Sequence, residues 1–200
     1  QRFPAPRTVY TAHGMGRSFL ADRSAFGIRQ LPGILKSSLW DDIHKVQDST
    51  PPRVLITDLG NDLVYGSSPE EVVAAADECI RRLQDWRSDC QFVVTNPPAQ
   101  SVSDLGWLRF WFFRMVLFPT CRLTLDGIKS KTVELDQRVE ELAGRYNIPL
   151  FSTDRASYGL DPIHVRRRHQ SATFGQAMDL WGDEPAHKPT LAGSRHPRPT

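Results

Sequence analysis

Two short clusters carry the residue types that acid/base and oxyanion chemistry need. Asp161-Pro162-Ile163-His164 sets a carboxylate three residues ahead of an imidazole, with a proline between them that narrows the loop's conformations. An imidazole titrates near neutrality, and a carboxylate on one ring nitrogen fixes its tautomer. A general base for a hydroxyl nucleophile is built this way. Gly60-Asn61-Asp62 follows the apolar run Val54-Leu55-Ile56 and brings an amide to a strand's end. Such an amide can donate to an oxyanion, which is worth roughly 3–4 kcal/mol of transition-state stabilisation. Each cluster also has a plainer reading. Asp161 and His164 fit a surface pair, and Asn61 with Asp62 fits an Asx-type turn after Gly60.

Gly14-Met15-Gly16-Arg17-Ser18 is the third element, a glycine loop after a short strand. It can expose a backbone N–H to an oxyanion, or it can be a tight turn needing positive φ at Gly14 or Gly16. It lacks the Lys-Ser/Thr ending of a phosphate loop and the third glycine of a dinucleotide fingerprint. Arg166-Arg167-Arg168-His169 suits a carboxylate or phosphate on a substrate, and equally a solvated stretch ahead of the last helix. The aromatic run Trp107 to Phe118 suits an acyl pocket, a lid, or core against a sheet. A metal-dependent phosphoesterase would draw on Asp58, Asp62, Asp161, His164 and His169. The Gly-Asn-His and Asp-x-His elements it needs are absent, so no metal is expected.

The elements that must position these residues alternate between strand and helix. Strands are predicted near residues 8–12, 53–58, 91–95 and 148–151. Leu31-Pro32 opens a brief helix with Leu35, Leu39 and Ile43 on one face. Ser68-Pro69-Glu70-Glu71 reads as a capping box, and Val72, Ala76, Cys79, Ile80 and Leu83 follow at helical spacing. A helix is predicted from Leu105 to Phe118, ending before Pro119. Asp126 is read as the cap of another, with Ile128, Leu135, Val139, Leu142 and Tyr146 along one stripe. Phe174, Ala177, Met178 and Trp181 mark a final amphipathic helix. The Pro-, His- and Arg-rich residues 182–200 are read as a disordered tail after a domain spanning 1–181. Alternation with short connections predicts an α/β fold with a parallel sheet and helices on both faces. In open sheets of that kind ligands bind at the carboxyl ends of the strands.

Bulk properties narrow the function classes. The chain has 200 residues, 40% of them hydrophobic and 24% charged, which suits one globular domain. A net charge of +2 is too small to argue for nucleic acid or an anionic membrane surface. Leu105 to Phe118 is too short and too charged to span a bilayer. Cys79, Cys90 and Cys121 form an odd set without Cys-x-x-Cys spacing. They are read as free thiols in a reducing, cytoplasmic compartment.

Taken in order, the three elements resemble the SGNH (GDSL-type) hydrolase superfamily. "LITDLGNDL" matches that family's third block, "YGLDPIHVRRRH" its fourth, and "TAHGMGRSF" looks like its second. The resemblance runs from about Thr8 to Trp181. It implies a three-layer α/β/α sandwich of flavodoxin-like type, usually with five parallel strands. It also implies His164 as base, Asp161 as its orienting acid, and the Gly16 N–H and Asn61 side chain as oxyanion donors. The implied chemistry is hydrolysis of an ester, a thioester or an acylated carbohydrate through an acyl-serine, without a cofactor. The chain departs from the family in its first block, because no serine precedes Gly16. The first strand and the nucleophile are expected together upstream of Gln1, in keeping with a start other than Met. Ser18 would serve only in a rearranged site, and Ser24 lies further off, so the nucleophile is unassigned. The alternative expectation is a truncated or non-catalytic binding domain on the same fold.

Overall fold

Four consecutive buried residues, Phe92, Val93, Val94 and Thr95, show why β-branched and aromatic side chains dominate the central strand. A strand covered on both faces has no polar side to show. In the computed structural model, which describes residues 7–13, 17–20, 31–117 and 121–182, that strand lies between two parallel neighbours. In chain order the strands are β1 (Arg53–Ile56), β2 (Gln91–Thr95) and β3 (Leu150–Phe151), and the sheet order is the same. Ile56 lies opposite Val94, which in turn lies opposite Leu150, so the three carboxyl ends finish at one rim.

Seven helices accompany the sheet among the described residues. They are α1 (Leu39–His44), α2 (Asn61–Val64), α3 (Pro69–Trp86), α4 (Ala99–Ser103), α5 (Trp107–Leu117), α6 (Leu125–Tyr146) and α7 (Arg167–Asp179). The architecture is mixed α/β with a three-stranded parallel sheet among the described residues, consistent with an α/β sandwich. The core forms where α3 and α6 pack together. Val72, Ala76 and Ile80 from one helix and Leu135, Val139 and Leu142 from the other are all fully buried. Their three- and four-residue steps keep each set on a single helical face.

The capping box forms as read. The Glu71 N–H donates to the Ser68 hydroxyl at 3.1 Å, and the Ser68 N–H donates to the Glu71 carboxylate at 2.7 Å. Ser68→Ala should therefore cost about 1 kcal/mol in urea unfolding, without changing the m-value. The second long helix is capped differently from the sequence reading. Thr124 is its N-cap, its hydroxyl accepting from Gly127 N–H at 3.0 Å, and Asp126 sits inside the first turn.

Other expectations shift as well. The segment around 8–12 forms no strand, and Val9 is 73% exposed. β-branched residues favour a pleated surface only where a neighbouring strand supplies ladder bonds, and this segment has none. The sheet therefore has three strands among the described residues rather than four. The helix expected from Pro32 splits into a 3-10 turn, Ile34–Lys36, and α1, because the Ser37 hydroxyl donates back to the Ile34 carbonyl between them. α7 begins at Arg167, so part of the arginine run is helical. Trp181 lies beyond its end and donates its indole N–H to the Val54 carbonyl of β1 at 3.0 Å. All three cysteines are free. No described helix is long and apolar enough to cross a membrane. Residues 183–200, the greater part of the expected tail, lie outside the described residues.

Candidate active site

The loop after β3 carries the first cluster, and three contacts fix its shape. Tyr158 and Val165 pair in an antiparallel bridge, and Arg166 N–H donates to the Ser157 carbonyl at 2.9 Å. From α5, one Arg109 Nη donates to the Gly159 carbonyl at 3.0 Å and to the Leu160 carbonyl at 2.6 Å. Within this loop Asp161 turns back on its own backbone. Its Oδ1 accepts from Ile163 N–H at 3.0 Å and from His164 N–H at 3.2 Å, while Oδ2 lies 2.7 Å from His164 Nδ1. A carboxylate only accepts, so Nδ1 carries the proton and the Nε2 of the neutral ring is left as an acceptor. The hydrogen bond that His164 donates to Asp161 holds the imidazole above its ordinary value, against an opposing contribution from partial burial, and the Asp161 and Asp58 charges add to it. Burial would raise Asp161, but the His164 hydrogen bond and the two backbone N–H groups outweigh it and leave the carboxyl below its usual range.

The loop after β1 carries the second cluster. Asp58 leaves the strand with φ +62°, a left-handed conformation uncommon outside glycine. The turn throws Gly60 into the N-cap position of α2, so Asn61 and Asp62 open that short helix. They do not form a local Asx turn; each reaches across the chain. The Asn61 Nδ2 donates to the Arg17 carbonyl at 3.1 Å. Asp62, with no surface exposed, accepts from Phe19 N–H at 2.8 Å and from Leu20 N–H at 3.0 Å. The same segment is held from its other side, where Ile34 and Leu35 N–H groups donate to the Ser18 and Phe19 carbonyls. Gly33 permits this approach, since a Cβ there would stand 2.6 Å from the Phe19 carbonyl oxygen.

The two loops meet at a cavity of about 160 Å³ at the rim of the sheet, lined by Asp58, Asn61 and His164 among others. The motif order predicts Asn61 and His164 in one site, and the structure brings both to this cavity. In the sequence Asp58 fits only a metal site; in the structure its charge contributes to the elevation of His164. Burial raises the Asp58 carboxyl above its ordinary value, and the His164 charge opposes this. Asp58→Asn should lower the His164 pKa, read from the imidazole Cε1–H shift in an NMR pH titration. An unchanged midpoint would mean that the Asp58 charge is screened at the ring.

Several cavity residues carried no motif in the sequence. The Thr95 hydroxyl donates to that of Thr57 at 3.1 Å, joining the ends of β2 and β1. Tyr158, whose hydroxyl is raised above its ordinary value chiefly by burial, faces the same space. For Thr95 and Thr57 the signal that could have found them is positional, since they lie at or just beyond the carboxyl ends of β2 and β1; Tyr158 stands further along the loop after β3 and carried no such signal. Ser18 is buried, with 2% exposure, and does not line the cavity; no serine among the described residues does. Gly14, Gly16 and Ser24 lie outside the described residues. Of the residues considered for a metal, Asp62 is occupied by backbone N–H groups and His169 accepts from Arg168 Nε at 3.0 Å. No group of three His, Cys, Asp or Glu among the described residues could hold a metal ion.

A second, almost wholly apolar cavity of about 60 Å³ adjoins the site through Gly60, Asp161 and Ile163. Phe110, Phe113 and Arg114 of α5 close it. No protein-family model matches this sequence, and no curated protein matches it significantly.

Proposed function

We propose that the domain is an ester hydrolase of SGNH type acting by acyl transfer. The observation that carries this reading is the Asp161–His164 pair at 2.7 Å, with Nε2 of the neutral ring unengaged by Asp161, on a cavity that the Asn61 amide shares. In this reading His164 takes the proton from a serine hydroxyl as that oxygen attacks the acyl carbon, and returns it to the leaving alcohol, thiol or sugar oxygen. Asp161 holds the ring's tautomer and balances the imidazolium. Asn61 and the Gly16 N–H receive the negative charge on the tetrahedral oxygen. Of the two Asn61 N–H groups one is given to the Arg17 carbonyl, which orients the amide and leaves the other for this task. Substrates are small esters, thioesters or acylated carbohydrates, and the fold is the flavodoxin-like sandwich of that superfamily.

A fluorophosphonate probe with peptide mapping, alongside a panel of p-nitrophenyl esters and acetylated sugars, tests the reading. One labelled serine and a hydrolysed panel member, both lost in His164→Ala, are expected. A second reading, a non-catalytic domain that binds such ligands, draws on one observation: no described serine lines the cavity with His164. Folded protein that binds panel compounds without labelling or turnover would favour it.

A further inference from the structure

The two cavities at the rim share a border, since Gly60, Pro98 and Ile163 line both. Gly60 has φ −71° and ψ −15°, which any residue adopts, so its backbone does not call for glycine. A Cβ added there would find Pro98 Cδ at 4.0 Å, which sets a side chain at position 60 on the border itself. The cavities differ in character. The one of about 160 Å³ holds Asn61 and His164 together with the polar side chains of Thr57, Asn96 and Gln170. The one of about 60 Å³ is almost wholly apolar. Val102, Leu105 and Ile128 are buried in its wall, and Phe110 and Phe113, three residues apart on α5, close it. Two charged residues also line it. Asp161 has both oxygens engaged by Ile163 and His164. Arg114 is partly exposed, as suits a side chain whose stem covers apolar surface while its head reaches water.

We infer that the smaller cavity receives the acyl chain of the substrate, and that this chain has about four to six carbons beyond the carbonyl. On the hydrolase reading above, on which this rests, the carbonyl carbon stands between the Asn61 amide and His164. The leaving oxygen takes its proton from His164, so the leaving group stays in the larger cavity, which His164 lines. The acyl chain is the remaining substituent. The border residues Gly60 and Ile163 are the chain neighbours of Asn61 and His164, so a chain directed away from the imidazole meets the apolar cavity there. An alkyl chain gains by leaving water for such a lining, whereas a sugar ring would leave its hydroxyls without partners. Size sets the length. One water-sized group needs about 10–15 Å³ of such space, so about 60 Å³ takes about four to six of them. An acetyl group leaves most of this space empty, and a long fatty chain overfills it. The polar cavity is left to a polar alcohol, thiol or sugar as the leaving group.

Kinetics with p-nitrophenyl esters from acetate to decanoate test the length, and methyl NMR tests the cavity apart from turnover. The kcat/KM should rise about fourfold with each added carbon from acetate, peak near hexanoate and fall again by decanoate. Hexanamide should shift the methyl resonances of Val102 and Ile128, and acetamide at the same concentration should not. Gly60→Val should lower the hexanoate-to-acetate ratio by about fourfold for each carbon it displaces. Phe113→Ala, at a half-buried residue, should move the peak to longer chains. Turnover with a flat or acetate-favouring profile would overturn the acyl pocket and leave the hydrolase reading standing. So would a hexanoate preference that neither variant moves. Hexanamide shifts without turnover of any ester would overturn the hydrolase reading and keep the cavity as the seat of an alkyl chain. Neither shifts nor turnover would overturn both.

Discussion

His164→Ala should lower kcat/KM for a hydrolysed ester by about 10²–10⁴, the contribution of a positioned general base. Circular dichroism should be unchanged, because the side chain is 55% exposed and packs in no core. Asp161→Asn should also reduce the rate and move its pH dependence. The base works as neutral imidazole, so the wild-type rate falls as pH drops through a His164 value above the ordinary 6.5. Removing the Asp161 carboxylate takes away the main cause of that elevation, and the acid limb should shift to lower pH. Stability runs the opposite way. The elevated His164 stabilises the fold fully below 6.5 and loses that contribution as pH rises through its folded value. The depressed Asp161 contributes above 3.8 and loses that share as pH falls through its own folded value. The pair therefore stabilises most between those limits, and activity should rise where its stabilising contribution fades. With half the imidazole in water the effect is small, ~0.2–1 kcal/mol. Melting curves of wild type and His164→Ala at pH 5 and pH 9 would read it. A rate unchanged in His164→Ala would remove the base from the mechanism.

Asp62→Ala should be among the most destabilising single changes at this rim, by about 3 kcal/mol. The carboxylate is fully buried and accepts two backbone N–H groups from Phe19 and Leu20. Truncation leaves both donors without their acceptor, and each buried unsatisfied group costs roughly 1–3 kcal/mol. Asp62→Asn keeps the volume but turns an N–H group toward one of those donors, so it should cost less than alanine and more than a surface substitution. The effect should also reach the candidate oxyanion position. The clamped segment contains Arg17, whose carbonyl takes one of the Asn61 amide hydrogens. Urea unfolding gives the first result, and hydrogen exchange at Phe19 and Leu20 gives the second. A cost under about 1 kcal/mol would show that other contacts hold the segment.

Elements with a local signature were legible from residues alone. The box at Ser68 and Glu71 and the stripe Leu135, Val139, Leu142 need only neighbours three or four positions away, and they formed as read. The segment 8–12 misled because β-composition says nothing about whether an edge is present to pair with. Trp107 to Phe118 misled in the opposite way. Its composition fits a core, but periodicity cannot say which face of a helix meets the protein, and here six apolar residues face out. At the site, the Asp161–His164 pair was legible because its two members are three residues apart. The Asp58 influence on His164 and the reach of Asp62 to Phe19 were not, since each depends on loops from distant parts of the chain meeting at one rim.

The contacts that assemble this rim have a kinetic consequence. Asp62 reaches back over 43 positions to Phe19, and the Trp181 indole returns over 127 to Val54. Both strand pairings are parallel and wait on crossover segments that contain whole helices. Closing long loops costs entropy before their contacts return any stabilisation, and topologies of this kind fold slowly. Helices α3 and α6 can form early from local interactions, while the rim assembles only when the sheet is complete. An intermediate with native-like helix content would therefore have no functional cavity, and recovery of ligand binding should lag behind recovery of helix during refolding.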